Sequence, residues 1–340
     1  MNVSFDDNLK DSMTLLSSLP SQIPKILSFS GGKDSTLVLQ LALKVGIPNL
    51  QVIHSNTLME FPYMDEHILF CKAECDRLQV PFHYVIPTLT NRFFYSLIGK
   101  GLPAPHRTFR YCTKNMKLTP ISAQIKKLFK KNPYIALNGE RKNESIKRFK
   151  KLSCDGSNEC GTTEQKMSVF TSAQSLVRPI FNLSTCMVWD AIAALDIAGY
   201  LEGSFNTLSN IYSMSSQSSG SLRTGCIGCP LITNDKSLPM LTSEHPEYEP
   251  LTKLRDLYYT TNLVENRVMR PDQKNYGATT LRFRRDLYEK ILAIETEIRA
   301  ANPGFTLIQD EEKQAIALAL KENTFPRGYS QEYLLSIGAI

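Results

Sequence analysis

The chain has 340 residues, 42% hydrophobic and 21% charged, enough for one large core or two. No apolar run reaches the roughly 18 residues of a membrane span, and the start, Met1-Asn2-Val3-Ser4-Phe5, lacks the basic-then-apolar pattern of a secretion signal. Eight cysteines at irregular spacing are expected to be thiols or metal ligands rather than disulfides, in a cytoplasmic protein without a membrane partner.

The predicted elements begin with a short helix over 6–18, on the apolar positions Leu9, Met13, Leu15 and Leu16. Pro20 and Pro24 then break the chain before a strand, Ile26-Leu27-Ser28-Phe29. Ser30-Gly31-Gly32-Lys33-Asp34-Ser35 follows, and then a helix to residue 45, so the order reads strand, glycine turn, helix. Two glycines let successive N–H groups face one anion, and the helix adds its positive end to the same point. Ser30 and Ser35 bring hydroxyls, Lys33 a point charge, and Asp34 a metal ligand or a structural anchor. A phosphate group suits such a place. The string is not the Walker loop, which is longer.

Strands are predicted over 50–54, 82–86 and 134–137. Between the first two, Pro62 opens a helix whose stripe of Met64, Ile68, Cys71, Cys75 and Leu78 predicts core packing for both cysteines. A helix with Lys126, Lys127, Lys130 and Lys131 precedes the last strand. Alternating strands and helices predict an α/β, Rossmann-like parallel sheet with helices on both faces. Residues 153–167 have no period and read as a mobile loop. A helix over 185–198 takes Cys186 into packing, a Ser-rich stretch spans 213–221, and the last third reads as helical and charged. Residues 1–200 are expected to form the nucleotide domain and 201–340 a mainly helical region packed on it.

Charge is uneven. From Arg92 to Leu152 there are sixteen Lys/Arg against two acidic residues, a net +14 that leaves −8 for the rest of a chain whose total is +6. A polyanionic partner is expected near this segment, with a solvated basic face as the plainer alternative. Cys226 and Cys229 bracket two residues, a spacing that lets both thiolates reach one metal centre. Arg110 and Lys114 flank Cys112 and are expected to favour its thiolate.

Ser30–Ser35 after a first strand resembles the PP-loop of the ATP pyrophosphatase superfamily, whose fold is that of the adenine nucleotide alpha hydrolases. Its members include PAPS reductases, tRNA thiolases and DNA sulfur-modification enzymes. His54–Pro62, Gly139-Glu140-Arg141 with Glu144-Ser145 and Arg148, and Arg178-Pro179-Ile180 with Val188-Trp189 resemble further blocks of the PAPS reductase-like proteins. Three more features resemble the DNA phosphorothioation sulfurtransferases of the DndC and SspD type. They are Arg110-Tyr111-Cys112-Thr113 with Lys117, Gly225-Cys226-x-x-Cys229, and a late helix written over Gly277–Arg285.

The resemblance implies ATP as cofactor with Mg²⁺, and a DNA phosphate activated by adenylation for exchange of oxygen by sulfur. Ser28, Ser30, Gly31, Gly32, Lys33, Asp34 and Ser35 would hold phosphates, and Asn56 and Thr57 adenosine. Gly139 would help bind ATP, and Arg141 would clamp the α-phosphate or the DNA. Glu144 would orient Arg141 or bind metal, with a cap or salt bridge as the alternative. Cys112, Cys226 and Cys229 would ligate a 4Fe–4S cluster. Ser219 stands where the relatives have a fourth cysteine, so the cluster has three protein ligands, or borrows Cys154 or Cys160, or does not form. Zinc and a plain packed knuckle stay open. The implied partners are DNA, a cysteine desulfurase as sulfur donor, and companion proteins of the same system. A phosphoadenylyl-sulfate reductase, a tRNA thiolase and a non-catalytic nucleotide-binding module are the alternatives. No cysteine follows Cys229, which counts against a reductase with a C-terminal nucleophile.

Overall fold

The computed structural model describes residues 5–142, 162–163, 173–213, 226–232, 235 and 237–340. Glu144, Arg148, Cys154, Cys160, Ser219 and most of 153–167 lie outside them. Two compact units interleave along the chain: 1–55, 62–85 and 118–213 form one, and 56–61, 86–117 and 214–340 the other. Among the described residues no helix is long and apolar enough to cross a membrane.

The first unit is built on β1 (Lys25–Ser28), β2 (Leu50–Ser55), β3 (Phe82–Val85), β4 (Ile135–Leu137), β5 (Thr162–Thr163) and β6 (Ser175–Val177). The sheet order is β3-β2-β1-β4-β6-β5, with five parallel strands and β5 antiparallel at the edge. β1 is buried because helices cover both faces, which is why Ile26-Leu27 reads as a continuous apolar run. Helix α1 (Phe5–Ser17), α2 (Lys33–Val45), α3 (Pro62–Arg77), α5 (Thr185–Ile197) and α6 (Ser204–Ser213) contribute to one core, and α4 (Thr119–Phe129) brings Ile125 and Phe129 to the other. The chain runs outward from β1 through β2 to β3, then returns to place β4 on β1's other side. That reversal makes the carboxyl ends of β1 and β4 the switch point, where open α/β sheets form their crevice.

Cys71 and Cys75 are fully buried, as the stripe predicts, and burial pushes Cys75 up to about 12. Leu78 departs from that stripe: α3 ends at Arg77 and Leu78 is exposed. Cys186 is also a correction. The inward face of α5 carries Val188, Ala191, Ile192 and Leu195, which turns Cys186 to solvent. The lysines at 126, 127, 130 and 131 are exposed around α4.

The second unit holds α7 (Ser237–Glu244), α8 (Thr252–Thr260), α9 (Leu281–Ala301), α10 (Asp310–Lys321), α11 (Gln331–Ser336) and a hairpin, β7 (Arg267–Met269) with β8 (Tyr276–Thr279). The late helix therefore starts later than the sequence suggests. Tyr276–Thr279 pairs as a strand, and the Thr280 hydroxyl caps α9 by accepting the N–H of Phe283 at 3.3 Å. Arg284 is buried within α9. Its Nη1 donates to the carbonyls of Ile98, Gly99 and Thr324 at 3.2, 2.9 and 2.8 Å, and its guanidinium lies 4.4 Å from the Phe325 ring centroid.

Candidate active site

The turn after β1 is held by its own side chains. Ser35 Oγ donates to the carbonyl of Gly32 at 2.9 Å and accepts the N–H of Ser30 at 3.2 Å, with Ser30 Oγ 3.1 Å away. Ser28 ends β1 just below, half-buried. Gly31 has φ +78°, and a Cβ there would lie 2.7 Å from Ile68 Cγ1, so only glycine fits. Gly32 is the N-cap of α2 and brings no capping side chain of its own; its N–H donates to Ser30 Oγ at 3.4 Å, and a helix N-terminus of this kind suits an anion.

Charge is arranged around one carboxylate. Asp34 Oδ2 accepts from Lys33 Nζ at 2.9 Å and Asp34 Oδ1 from Arg141 Nε at 2.7 Å. These two ion pairs give Asp34 the contacts of an anchor. Arg141, at the carboxyl end of β4, also donates through Nη1 to Leu183 O and Thr185 Oγ1 at 3.3 and 3.2 Å. Its guanidinium is almost fully buried. Gly139 is required by close approach, since a Cβ there would sit 2.9 Å from Asp34's carbonyl carbon and oxygen. Arg178 Nε donates to Glu140 Oε2 at 2.9 Å, so two of the resembling blocks meet as an ion pair.

Sequence reasoning missed Tyr212. The Lys33 N–H donates to its hydroxyl at 3.4 Å, and Lys33 Nζ lies 5.3 Å from its ring centroid. Trp189 stands edge-on behind that ring at 5.3 Å. A separation of 179 residues hides this pair from any local pattern.

In the second unit, Asn56 Oδ1 accepts the Leu58 N–H at 2.6 Å, while Thr57 donates to Glu60 Oε1 at 2.8 Å. Both side chains shape the 56–61 turn here. That turn carries the cysteines: Ile227 N–H donates to Met59 O at 2.7 Å, and Thr57 Oγ1 lies 3.8 Å from Cys226 Sγ. Cys112 precedes a π-helical stretch, Thr113–Leu118, whose i→i+5 bonds bring position 117 to the side of position 112. The thiols of Cys112, Cys226 and Cys229 all lie within electrostatic reach of the Lys117 ammonium, which they raise, Cys226 most.

Burial pushes Cys226 up to about 12 and also raises Cys112. The sequence-based expectation of a thiolate at Cys112 is therefore reversed in the bare site, because desolvation outweighs the charge of Lys117. All three thiols are free and partly accessible.

Two observations test these residues against the implied cluster. The hydroxyls of Tyr111 and Tyr258 are buried with no hydrogen-bond partner among the described residues, and they sit beside the thiols. A sulfur-rich anionic centre would supply the missing acceptors. As they stand, however, no three His, Cys, Asp or Glu among the described residues group to hold a metal ion. The donor chemistry fits, and position 219 lies outside the described residues. Gly228, φ +64°, fits between the cysteines because a Cβ would meet the Tyr258 ring at 3.0 Å.

A model of the phosphoadenosine phosphosulfate reductase domain matches residues 24–200, just over half of the chain. The chain belongs to this family. The matched residues of the phosphoadenosine phosphosulfate reductase domain include the β1 turn, the β4 end and α5. Two uncharacterized proteins of Methanocaldococcus jannaschii are 29% and 28% identical over 212 and 169 residues, 62% and 49% of this chain and 42% and 30% of theirs. A tRNA(Ile)-lysidine synthase of Hamiltonella defensa is 25% identical over 182 residues, 50% of this chain and 36% of its own. The chain thus spans less than half the length of the curated relatives it matches. Among solved structures, a phosphoadenylyl-sulfate reductase from Candida auris in phosphate complex has TM-score 0.36 at 14% identity, covering 57% of this chain and 88% of that one. A U34-tRNA thiolase from Methanococcus maripaludis with its 4Fe–4S cluster has TM-score 0.40 at 14% identity, covering 75% and 79%.

Proposed function

We propose that this chain is a cytoplasmic ATP pyrophosphatase and sulfurtransferase of DNA phosphorothioation. The observation that carries the reading is the presence, on one chain, of a PP-loop cradle and three free thiols, Cys112, Cys226 and Cys229, with Cys226 Sγ 3.8 Å from Thr57 Oγ1. Membership of the PAPS reductase family supports ATP chemistry at the cradle, and the motifs at 110–117 and 225–229 support the DNA branch.

In the first step a non-bridging oxygen of a DNA phosphodiester attacks the α-phosphorus of ATP. An O–P bond forms, the bond to the β-phosphate bridging oxygen breaks, and pyrophosphate leaves. The amides of Gly31 and Gly32, the Ser30 hydroxyl and the Lys33 ammonium hold the leaving group and offset its charge. Asp34 aims Lys33, and Arg141 fixes Asp34. Mg²⁺ would enter with ATP, with Asp34 as its nearest carboxylate in the loop. In the second step sulfide attacks the activated DNA phosphorus, and AMP leaves with the original oxygen. Cys112, Cys226 and Cys229 would hold the cluster, which when bound would supply a site for sulfide. Asn56 and Thr57 would serve adenosine, and Glu144 would orient Arg141 or bind the metal. A cysteine desulfurase and companion proteins that choose the DNA site complete the reading.

The test is anaerobic purification with iron and sulfide analysis, then pyrophosphate release from ATP with and without DNA and sulfide. DNA-stimulated release that disappears in Lys33→Ala is expected, with labelled sulfur in DNA. Labelled sulfur in tRNA, sulfite from an adenylylated sulfate donor, or ATP binding without turnover would each replace this reading by one of its alternatives.

A further inference from the structure

The second unit has a cavity of about 520 Å³ that none of the chemistry above uses. Its walls come from the β7–β8 hairpin, from residues 102–109 and from the turn at 326–329. Three guanidiniums line it: Arg267, Arg270 and Arg327. Arg267 is fixed, with Nε donating to Gly277 O at 3.0 Å and Nη2 to Tyr276 O at 2.8 Å. Arg270 and Arg327 form no side-chain hydrogen bond and no ion pair among the described residues, and both are exposed. Burial lowers Arg267, and the nearby charge of Arg270 adds to that in smaller part. The lining has one carboxylate, Asp272, and its Oδ1 is engaged with the Lys274 N–H at 3.0 Å. Three guanidiniums against one carboxylate leave the lining net positive, which favours an anion.

The lining also carries three rings, His106, Phe109 and Tyr329, among prolines and small residues. Tyr329 is locked in place, its hydroxyl accepting the Ala278 N–H at 2.9 Å, and Gly277 leaves the room it needs. On the other wall His106 and Phe109 exchange backbone hydrogen bonds at 3.1 and 3.0 Å, a tight turn that presents Phe109 to the cavity. Guanidiniums for phosphate together with flat rings for a base form the pattern of a nucleic-acid strand site.

We infer that this cavity is a second substrate subsite, binding the phosphodiester backbone of the DNA strand through Arg267, Arg270 and Arg327 with a base against Phe109 or Tyr329. The anion site stands on the cavity alone; its assignment to DNA rests on the proposed function. Fluorescence anisotropy of a labelled DNA oligonucleotide against the full chain, across a salt series without ATP, tests it. Each phosphate contact contributes about 0.7–0.9 to the slope of log K against log salt. Arg270→Gln/Arg327→Gln should lower the slope by about 1.4–1.8 and weaken binding at low salt roughly 10–100-fold. Lys44→Gln/Lys321→Gln, which removes the same charge elsewhere, should keep the slope, and Arg270→Lys should retain most of it. Melting temperatures of the variants confirm folding. DNA binding that is unchanged in Arg270→Gln/Arg327→Gln overturns the inference and leaves the proposed function standing. Loss confined to AMP, to inorganic phosphate or to tRNA overturns the DNA assignment. Pyrophosphate release by the unmodified chain reads the proposed function separately.

Discussion

Gly139→Ala would show whether the end of β4 sets the geometry of the anion cradle. The added Cβ lies 2.9 Å from the carbonyl carbon and oxygen of Asp34 and 3.0 Å from the Ser35 nitrogen. Ordinary contact starts at 3.4 Å, so strand end and helix start must part by about 0.5 Å. The obstacles are backbone atoms of the first turn of α2, so no rotamer change relieves the clash. Overpacking of this kind costs about 1–3 kcal/mol, a fall in melting temperature of roughly 3–9 °C for a unit of this size. A shift of about 0.5 Å is also the tolerance of a preorganised site. ATP affinity should therefore fall roughly tenfold, about 1.4 kcal/mol. Thermal unfolding and equilibrium ATP titration read the two effects. A melting temperature and an affinity both matching the unmodified chain would refute the close-approach argument.

Asp34→Asn removes the carboxylate that pairs with the buried Arg141 among the described residues. Discounted for the partial exposure of Asp34, this should cost about 1–3 kcal/mol in a denaturant titration, and it should abolish pyrophosphate release. His67 meets Thr36 Oγ1 at 3.1 Å, and burial holds its imidazole down to about 4. Its neutral form supports the fold above pH 6.5, and up to about 3 kcal/mol is lost as pH falls through 4, which His67→Gln should flatten in stability–pH curves. Glu312 has the opposite sign. Burial raises it to about 7, so its contribution is full below 4.5 and lost as pH rises through 7, on the order of 3 kcal/mol. Cys226→Ser should empty the anaerobic protein of iron, whereas Tyr258→Phe should keep the iron and shift the midpoint potential; an unchanged potential would remove the tyrosine from the site.

Strands β1 to β4 were legible because each is a short run next to a turn signal, and the β1 turn because Gly31 and Gly32 announce a backbone no side chain allows; β6 at 175–177 was missed, and Thr162–Thr163, within the stretch read as a loop, pairs with it as the edge strand β5. The hairpin at 267–279 was not legible. Its strands have three and four residues, too short to show a period, and β8 runs almost directly into α9. Cys186 and Leu78 were misread for a related reason: apolar character places a residue on an element, not on a face, until the partner packs. Lys117 was visible only as part of a resemblance, since its nearness to Cys112 follows from a π-helical turn. The net +14 segment was visible, but two of its arginines are internal: Arg92 pairs with Glu311 and Arg141 with Asp34.

The contact between Lys33 and Tyr212 has a consequence for biosynthesis. Gln40, on the same helix, likewise donates to Tyr200 O and Ser204 Oγ at 2.9 and 3.2 Å, some 160 residues downstream. A ribosome adding about 5–20 residues per second needs roughly 10–35 s to deliver them. Throughout that delay the turn after β1 waits without its finishing residues, and a nascent chain stopped before Tyr212 emerges with a cradle that has no back wall.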